Sequence, residues 1–216
     1  RLALGPGTGM GLSAWIPGGG GVALAGEGGH IRLAPGNARE ANVLAKLADQ
    51  EGFVSAEDVL CGPGLLRLYR LLCVEAGLAP DCEDAGEVWK LWLGGNTVAR
   101  NAVALFTTLL GRYAGDMALV AGATGGVYIA GGVVPHWGEH FDVARFRDGF
   151  ETKGRYRKYL EAIPSCTVTH PQPGMLGLAA YGHPKRTRGV QPLPARSNGK
   201  DAAPQAAAKS GHSMSS

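Results

Sequence analysis

The sequence has little charge and few aromatic rings: charged residues make up 18% and aromatics 7% of its 216 positions. Its hydrophobic share, 45%, is still that of a folded soluble domain and excludes a disordered chain. No Cys-x-x-Cys pair occurs among Cys61, Cys73, Cys82 and Cys166, which argues against a thiol-rich zinc site and favours reduced thiols. No G-x-y period accompanies the 35 glycines, so collagen is excluded. The opening residues do not read as a signal peptide, and the expected compartment is the cytoplasm. One uncharged run, Met117 to Val134, reaches the length of a short membrane span. It holds Gly122, Gly125, Gly126, Gly131 and Gly132, and reads instead as a helix end, a turn, a buried strand and a second turn.

The net charge of +3 is set by the C-terminal tail. Lys185, Arg186, Arg188, Arg196, Lys200 and Lys209 face one acid there, Asp201, leaving residues 1–183 at −2. A basic folded surface for nucleic acid is therefore not supported. The chain begins at Arg1 and enters an apolar run at once, Leu2-Ala3-Leu4, the pattern expected of the interior of a longer protein.

Residues 2–4 and Gly11–Ile16 read as a hairpin, with Val22–Ala25 a third strand. Asn37–Gln50 has helical periodicity. Ser55 is expected to open a helix that Gly62-Pro63-Gly64 interrupts and Leu65–Glu75 continues. Helices are expected over 84–93, 97–120, 139–149, 155–161 and 174–181, and strands over 127–130 and 166–169. In the helix over 97–120, Val98, Ala102, Leu105, Leu109, Tyr113 and Met117 form the expected buried stripe. From Pro184 the Ala/Pro/Ser/Gly/Lys composition reads as a disordered tail, giving a folded unit over 1–183 and a tail over 184–216.

Three glycine-rich segments suit ligands. In Gly5-Pro6-Gly7-Thr8-Gly9-Met10-Gly11, backbone N–H groups and the Thr8 hydroxyl are able to surround an anion. The segment is neither a Walker loop nor a dinucleotide fingerprint, and a plain glycine-rich hairpin stays equally open. Glu27-Gly28-Gly29-His30 holds a carboxylate and an imidazole on one tight turn, which suits adjacent sugar hydroxyls; a solvated turn is the simpler alternative. Gly125 to Pro135 is a strand between glycine pairs where an adenine or ribose finds room against backbone, or simply a central strand with tight turns. His136-Trp137-Gly138-Glu139-His140 fits a zinc hydrolase pattern, but Gly138 inside it and Pro135 before it argue against one helix carrying both imidazoles.

In this order, these segments resemble the bacterial glucokinase family, ATP-dependent glucose kinases of the actin–hexokinase fold. Ser55-Ala56-Glu57-Asp58-Val59-Leu60-Cys61-Gly62-Pro63-Gly64-Leu65, Lys153-Gly154-Arg155-Tyr156 and Pro173-Gly174-Met175-Leu176-Gly177 add to the likeness. The resemblance implies an α/β fold, a partial actin/hexokinase-type (ribonuclease H-like) arrangement with a mixed sheet flanked by helices. It implies that Glu27, His30 and Glu57 hold glucose hydroxyls, that Gly7 and Thr8 approach the ATP phosphates, and that Gly131 and Gly132 approach the adenosine. Mg2+ would arrive with the nucleotide, and a homodimer is compatible with the family. The family's first phosphate loop, of Asp-x-Gly-Gly-Thr type, and the Asn-Asp pair that supplies its base do not occur in this sequence. The expectation is a glucokinase fragment with no catalytic residue of its own, inactive alone, with exposed apolar cleft surface prone to self-association. The competing expectations are a sugar-binding remnant and a repressor-type relative.

Overall fold

Strand formation begins with alternation: Leu2 and Leu4 are buried while Ala3 between them is exposed. In the computed structural model, which describes residues 1–18, 21–48, 52–182 and 190–193, this segment is β1 (Leu2–Pro6). It pairs antiparallel with β2 (Met10–Ile16), which pairs antiparallel with β3 (Val22–Gly26). β4 (Val127–Ile129) and β5 (Ser165–Val168) follow in parallel, Leu2 opposite Val127 and Leu4 opposite Ile129. The order is β3-β2-β1-β4-β5-β6, with β6 (Val190–Leu193) antiparallel on β5. The sheet is therefore mixed, as expected, with β1 at its centre. The tail is outside the described residues except for β6, where the sequence offers no strand signal.

Between β3 and β4 lie α1 (Ala38–Leu47), α2 (Gly62–Glu75), α3 (Ala85–Leu93) and α4 (Thr97–Ala121). Between β4 and β5 lie α5 (Val133–Trp137), α6 (Val143–Glu151) and α7 (Arg157–Glu161), and α8 (Pro173–Gly182) follows β5. Caps explain several of these starts. Asn37, Asp84, Asn96 and Asp142 each accept the N–H three residues on, at 2.9 Å, a contribution of about 1 kcal/mol per helix.

The structure corrects three boundaries. Ser55 opens no helix: its hydroxyl and N–H donate to the Asp58 carboxylate within a turn, at 2.6 and 2.9 Å. Gly62-Pro63-Gly64 interrupts nothing, because it is the first turn of α2, where the missing proline N–H is no loss. The helix expected from 139 starts at Val143, behind its Asp142 cap, and α5 precedes it unannounced.

α4 is the spine, packed against α2, α3, α6 and β1. Ala102, Leu109, Tyr113 and Met117 of the expected stripe are buried, Val98 and Leu105 half-buried. Among the described residues α4 alone has the length and apolar composition to cross a membrane, and 61% of its most apolar window is buried. Against α6 the two backbones nearly touch. A Cβ on Gly111 would run into the Phe146 carbonyl, one on Gly115 into the Phe150 carbonyl, and one on Gly149 would lie 2.5 Å from the Thr108 carbonyl.

Beside this crossing, Arg147 is 2% exposed. Its guanidinium donates to Glu151 (2.7 Å), Ser165 Oγ (2.7 Å) and the carbonyls of Ile163 (2.9 Å), Leu160 (3.2 Å) and Glu161 (3.4 Å). The buried charge is thus paired, and it closes the carbonyl end of α7 while tying α6 to the first residue of β5. Gly111→Ala is expected to push α6 off α4 and cost about 1–3 kcal/mol in urea unfolding; a variant as stable as the parent would show that the crossing tolerates a methyl group.

Candidate functional site

Four segments meet at the turn Gly7–Gly9 between β1 and β2. The Gly7 N–H donates to the Gly9 carbonyl at 2.9 Å, and the Gly62 N–H, from the start of α2, donates to the Gly7 carbonyl at 2.8 Å. From the turn after β4, Gly131 lies against the end of β1. Its φ is +78°, and a Cβ there would sit 2.5 Å from the Pro6 carbonyl oxygen, so only glycine fits. From the segment before α2, Glu57 Oε2 accepts the Met10 N–H at 2.7 Å. From the short turn Gly28–His30, Gly29 lies over the Met10 carbonyl, where a Cβ has no room, and its own carbonyl accepts the Glu57 N–H at 2.7 Å.

On its Gly7 side the turn borders a cleft of about 700 Å³. Gly7, Thr8, Gly62 and Gly132 line it, with the Gly132 nitrogen 3.8 Å from a Cβ built on Gly7 and the Ala85 side chain 3.8 Å from one built on Gly62. Leu65, Leu66, Trp89, Val133 and Trp137 make the apolar wall, and Glu83 and Asp84 stand in the rim beside Ala85 and Gly86. Trp89 is stacked between Trp92 (4.5 Å) and Trp137 (5.2 Å), so the apolar wall is continuous with an aromatic row running into the core.

On its Met10 side the turn carries the second cluster. Glu27 Oε2 and His30 Nε2 lie 3.8 Å apart, with side chains 91% and 60% exposed. Glu57 sits below them, joined through Gly29. The structure therefore brings Glu27 and His30 together and puts Glu57 one backbone bond away. Gly7, Thr8 and Gly132 face the cleft; Gly131 does not line it and serves the close approach of strand ends. The Glu57 carboxylate already has a structural task on one oxygen.

The zinc pattern does not assemble. His136 is on α5, but Gly138, at φ +53°, breaks the helix, and His140 ends a separate 3-10 turn against Trp89 and Trp92. Sequence reasoning missed the cleft roles of α3 and α5. The Asp84 cap was a usable signal for where a helix start would face; five residues of α5 are too few for periodicity to show.

Cys61 caps α2 through sulfur: Sγ accepts the Gly64 N–H at 3.3 Å and donates to the Glu57 carbonyl at 2.9 Å. Burial pushes its thiol above the usual range, so it stays protonated and unreactive. At Asp58, burial raises the carboxyl, but the Ser55 hydroxyl and N–H and the Arg67 guanidinium outweigh it and hold it below the usual carboxylate range.

The family model described as "Glucokinase" matches residues 1–185. A glucokinase of Paramagnetospirillum magneticum is 45% identical over 179 residues, which are 82% of this chain and 56% of that protein. One of Yersinia enterocolitica is 43% identical over 185 residues, covering 82% and 55%. The crystal structure of a glucokinase from an Antarctic psychrotroph superimposes with a TM-score of 0.78 at 33% identity, covering 85% of this chain and 58% of that one. The chain thus spans just over half the length of the relatives it matches.

Removing the Glu57 carboxylate should loosen the whole junction. Glu57→Ala leaves the Met10 N–H unpaired and is expected to cost about 1–3 kcal/mol, while Glu57→Gln keeps an acceptor and costs less. Urea unfolding of the two variants checks this, and the reverse ranking would refute the role.

Proposed function

Because the chain belongs to the glucokinase family, with its actin–hexokinase fold, we propose that it forms the nucleotide cleft and sugar loop of a kinase that transfers the γ-phosphoryl group of ATP to the 6-hydroxyl of glucose. The observation that carries this reading is the junction itself: one glycine turn, Gly7–Gly9, borders a nucleotide-sized cleft on one side and touches the support of a carboxylate–imidazole pair on the other. Phosphoryl transfer needs that adjacency, since the attacking oxygen and the phosphorus must lie in line.

The triphosphate is assigned to Gly7, Thr8 and Gly132, where the lining is backbone and a hydroxyl, with the α2 N-terminus behind it. Donors at the α2 start are already engaged, Gly62 by Gly7 and Gly64 by Cys61. That helix therefore contributes its dipole, and the phosphate hydrogen bonds fall to the turn backbone and the Thr8 hydroxyl. The base and ribose take the apolar wall and the acidic rim, where carboxylates accept from hydroxyls or an amino group. Mg2+ bound to the nucleotide would offset phosphate charge and would be carried in with ATP.

Glu27, His30 and Glu57 hold the sugar by its hydroxyls. In the reaction a bond forms between the 6-oxygen and the γ-phosphorus, the bridge to the β-phosphate breaks, and the hydroxyl proton passes to a base. No Asn-Asp pair occurs in the chain, and the proposal puts that base outside it. The same reading puts the enzyme in the cytoplasm, where ATP and glucose meet, and is compatible with a homodimer.

Two measurements test the proposal. Gly132 has a negative φ of −94° and open space around its Cβ position. Gly132→Val is therefore expected to keep the parent's melting temperature while weakening ATP·Mg binding at least about tenfold by filling the phosphate end. Tryptophan fluorescence from Trp89 and Trp137 reports the binding, and unchanged affinity would move the nucleotide elsewhere. In a coupled glucose 6-phosphate assay the 216-residue chain by itself should turn over at least about 10²–10⁴-fold slower than the same segment joined to a base-bearing lobe; equal rates would place the base on this chain.

A further inference from the structure

Tyr113 lies on α4 directly beneath the sugar loop. It is 2% exposed, and its hydroxyl is the one buried side-chain oxygen or nitrogen without a hydrogen-bond partner among the described residues. A native core seldom leaves such a group unpaired, because a buried donor without an acceptor is costly. The hydroxyl is not lost in the core. A Cβ built on Gly28 would lie 3.0 Å from it and 2.6 Å from the Leu12 side chain. It therefore faces the backbone of the turn that carries Glu27 and His30. Burial pushes the phenol up to about 12, so it is a neutral donor at physiological pH.

The turn above it has acceptor capacity to spare. The Glu27 carbonyl takes the His30 N–H at 3.0 Å and the Gly28 carbonyl takes the Ile31 N–H at 3.2 Å, each using one of two lone pairs. Gly28 puts no side chain between the Tyr113 hydroxyl and the turn backbone, while Leu12 and the Tyr113 ring form the floor below it. Resting on the sugar reading above, we propose that Tyr113 is a positioning residue for the hexose: its hydroxyl donates to the backbone of the Glu27–His30 turn when the sugar draws those two side chains onto its hydroxyls. A bond made only in the sugar-bound arrangement adds to sugar affinity, because a ligand shifts an equilibrium by whatever is stronger in the state it selects.

Tyr113→Phe tests this on the chain as it stands. Glucose affinity by calorimetry is expected to fall about 2- to 10-fold, the value of one neutral hydrogen bond. ATP·Mg affinity should stay unchanged, and Tm should hold or rise, because the deletion removes an unpaired hydroxyl. The parent should also show a tyrosine difference signal in the near-ultraviolet on adding glucose, which the variant loses. A purely packing role would lower Tm and both affinities together, and that outcome overturns the inference. So does a variant that binds glucose as tightly as a parent that binds it. A parent without glucose affinity overturns the sugar reading and this inference together, so the two failures are told apart.

Discussion

The close approach of backbone to backbone at the end of β1 is the constraint on which the site depends. Pro6, Gly7 and Met10 are each met by a different segment: Gly131 against the Pro6 carbonyl, Gly62 on the Gly7 carbonyl, and Gly29 and Glu57 on the two sides of Met10. Three of the four segments meet the turn through a glycine, because a side chain at Gly131 or Gly29 would occupy the space of a carbonyl. Glu57 is the exception, and its carboxylate does from a distance what backbone does elsewhere. A hydrogen bond donated to a charged group is worth about 1.5–3 kcal/mol, enough to hold a hairpin turn in one place.

That junction is only as rigid as the layer under it. α4 supplies the floor, with Leu109, Tyr113 and Met117 buried, and α6 is locked to α4 by contacts that tolerate no Cβ. The buried Arg147 then fixes α6 to β5, and β5 is paired in parallel with β4, whose end carries Gly131 and Gly132. The cleft end is thus connected to the core by two routes, one through α2 and one through β4.

The consequence for function is a separation of tasks around one turn. Apolar aromatic surface, two acidic residues and glycine backbone line the cleft on one side of the turn, and the exposed Glu27–His30 pair lies on the other. Glu27 and His30 are exposed on the described surface.

Much of this was legible in the residues. The glycine clusters mark turns because their composition permits little else, and the alternation Leu2-Ala3-Leu4 and the stripe along α4 mark one-sided burial. The motif order pointed to the family, and Glu27 and His30 are adjacent because a two-glycine turn leaves them no other choice. Other features were not legible. Gly62-Pro63-Gly64 looked like a break because the same residues suit a loop and a first helical turn, and only the Cys61 cap and the packing of α2 decide between them. α5 was too short for any period, and with it the cleft roles of His136 and Trp137 stayed hidden. Gly131 lies against the end of β1 and outside the cleft lining, a placement set by which neighbour comes close. Most of the local elements and turns, and the family, are legible in the residues alone, since these depend on short-range periodicity and on residue types in order. Packing between distant segments sets which glycine lines the cleft and which lies against another strand, that Glu57 holds a hairpin, and that the Tyr113 hydroxyl lies unpaired beneath a loop, because each depends on contacts between residues far apart in the chain.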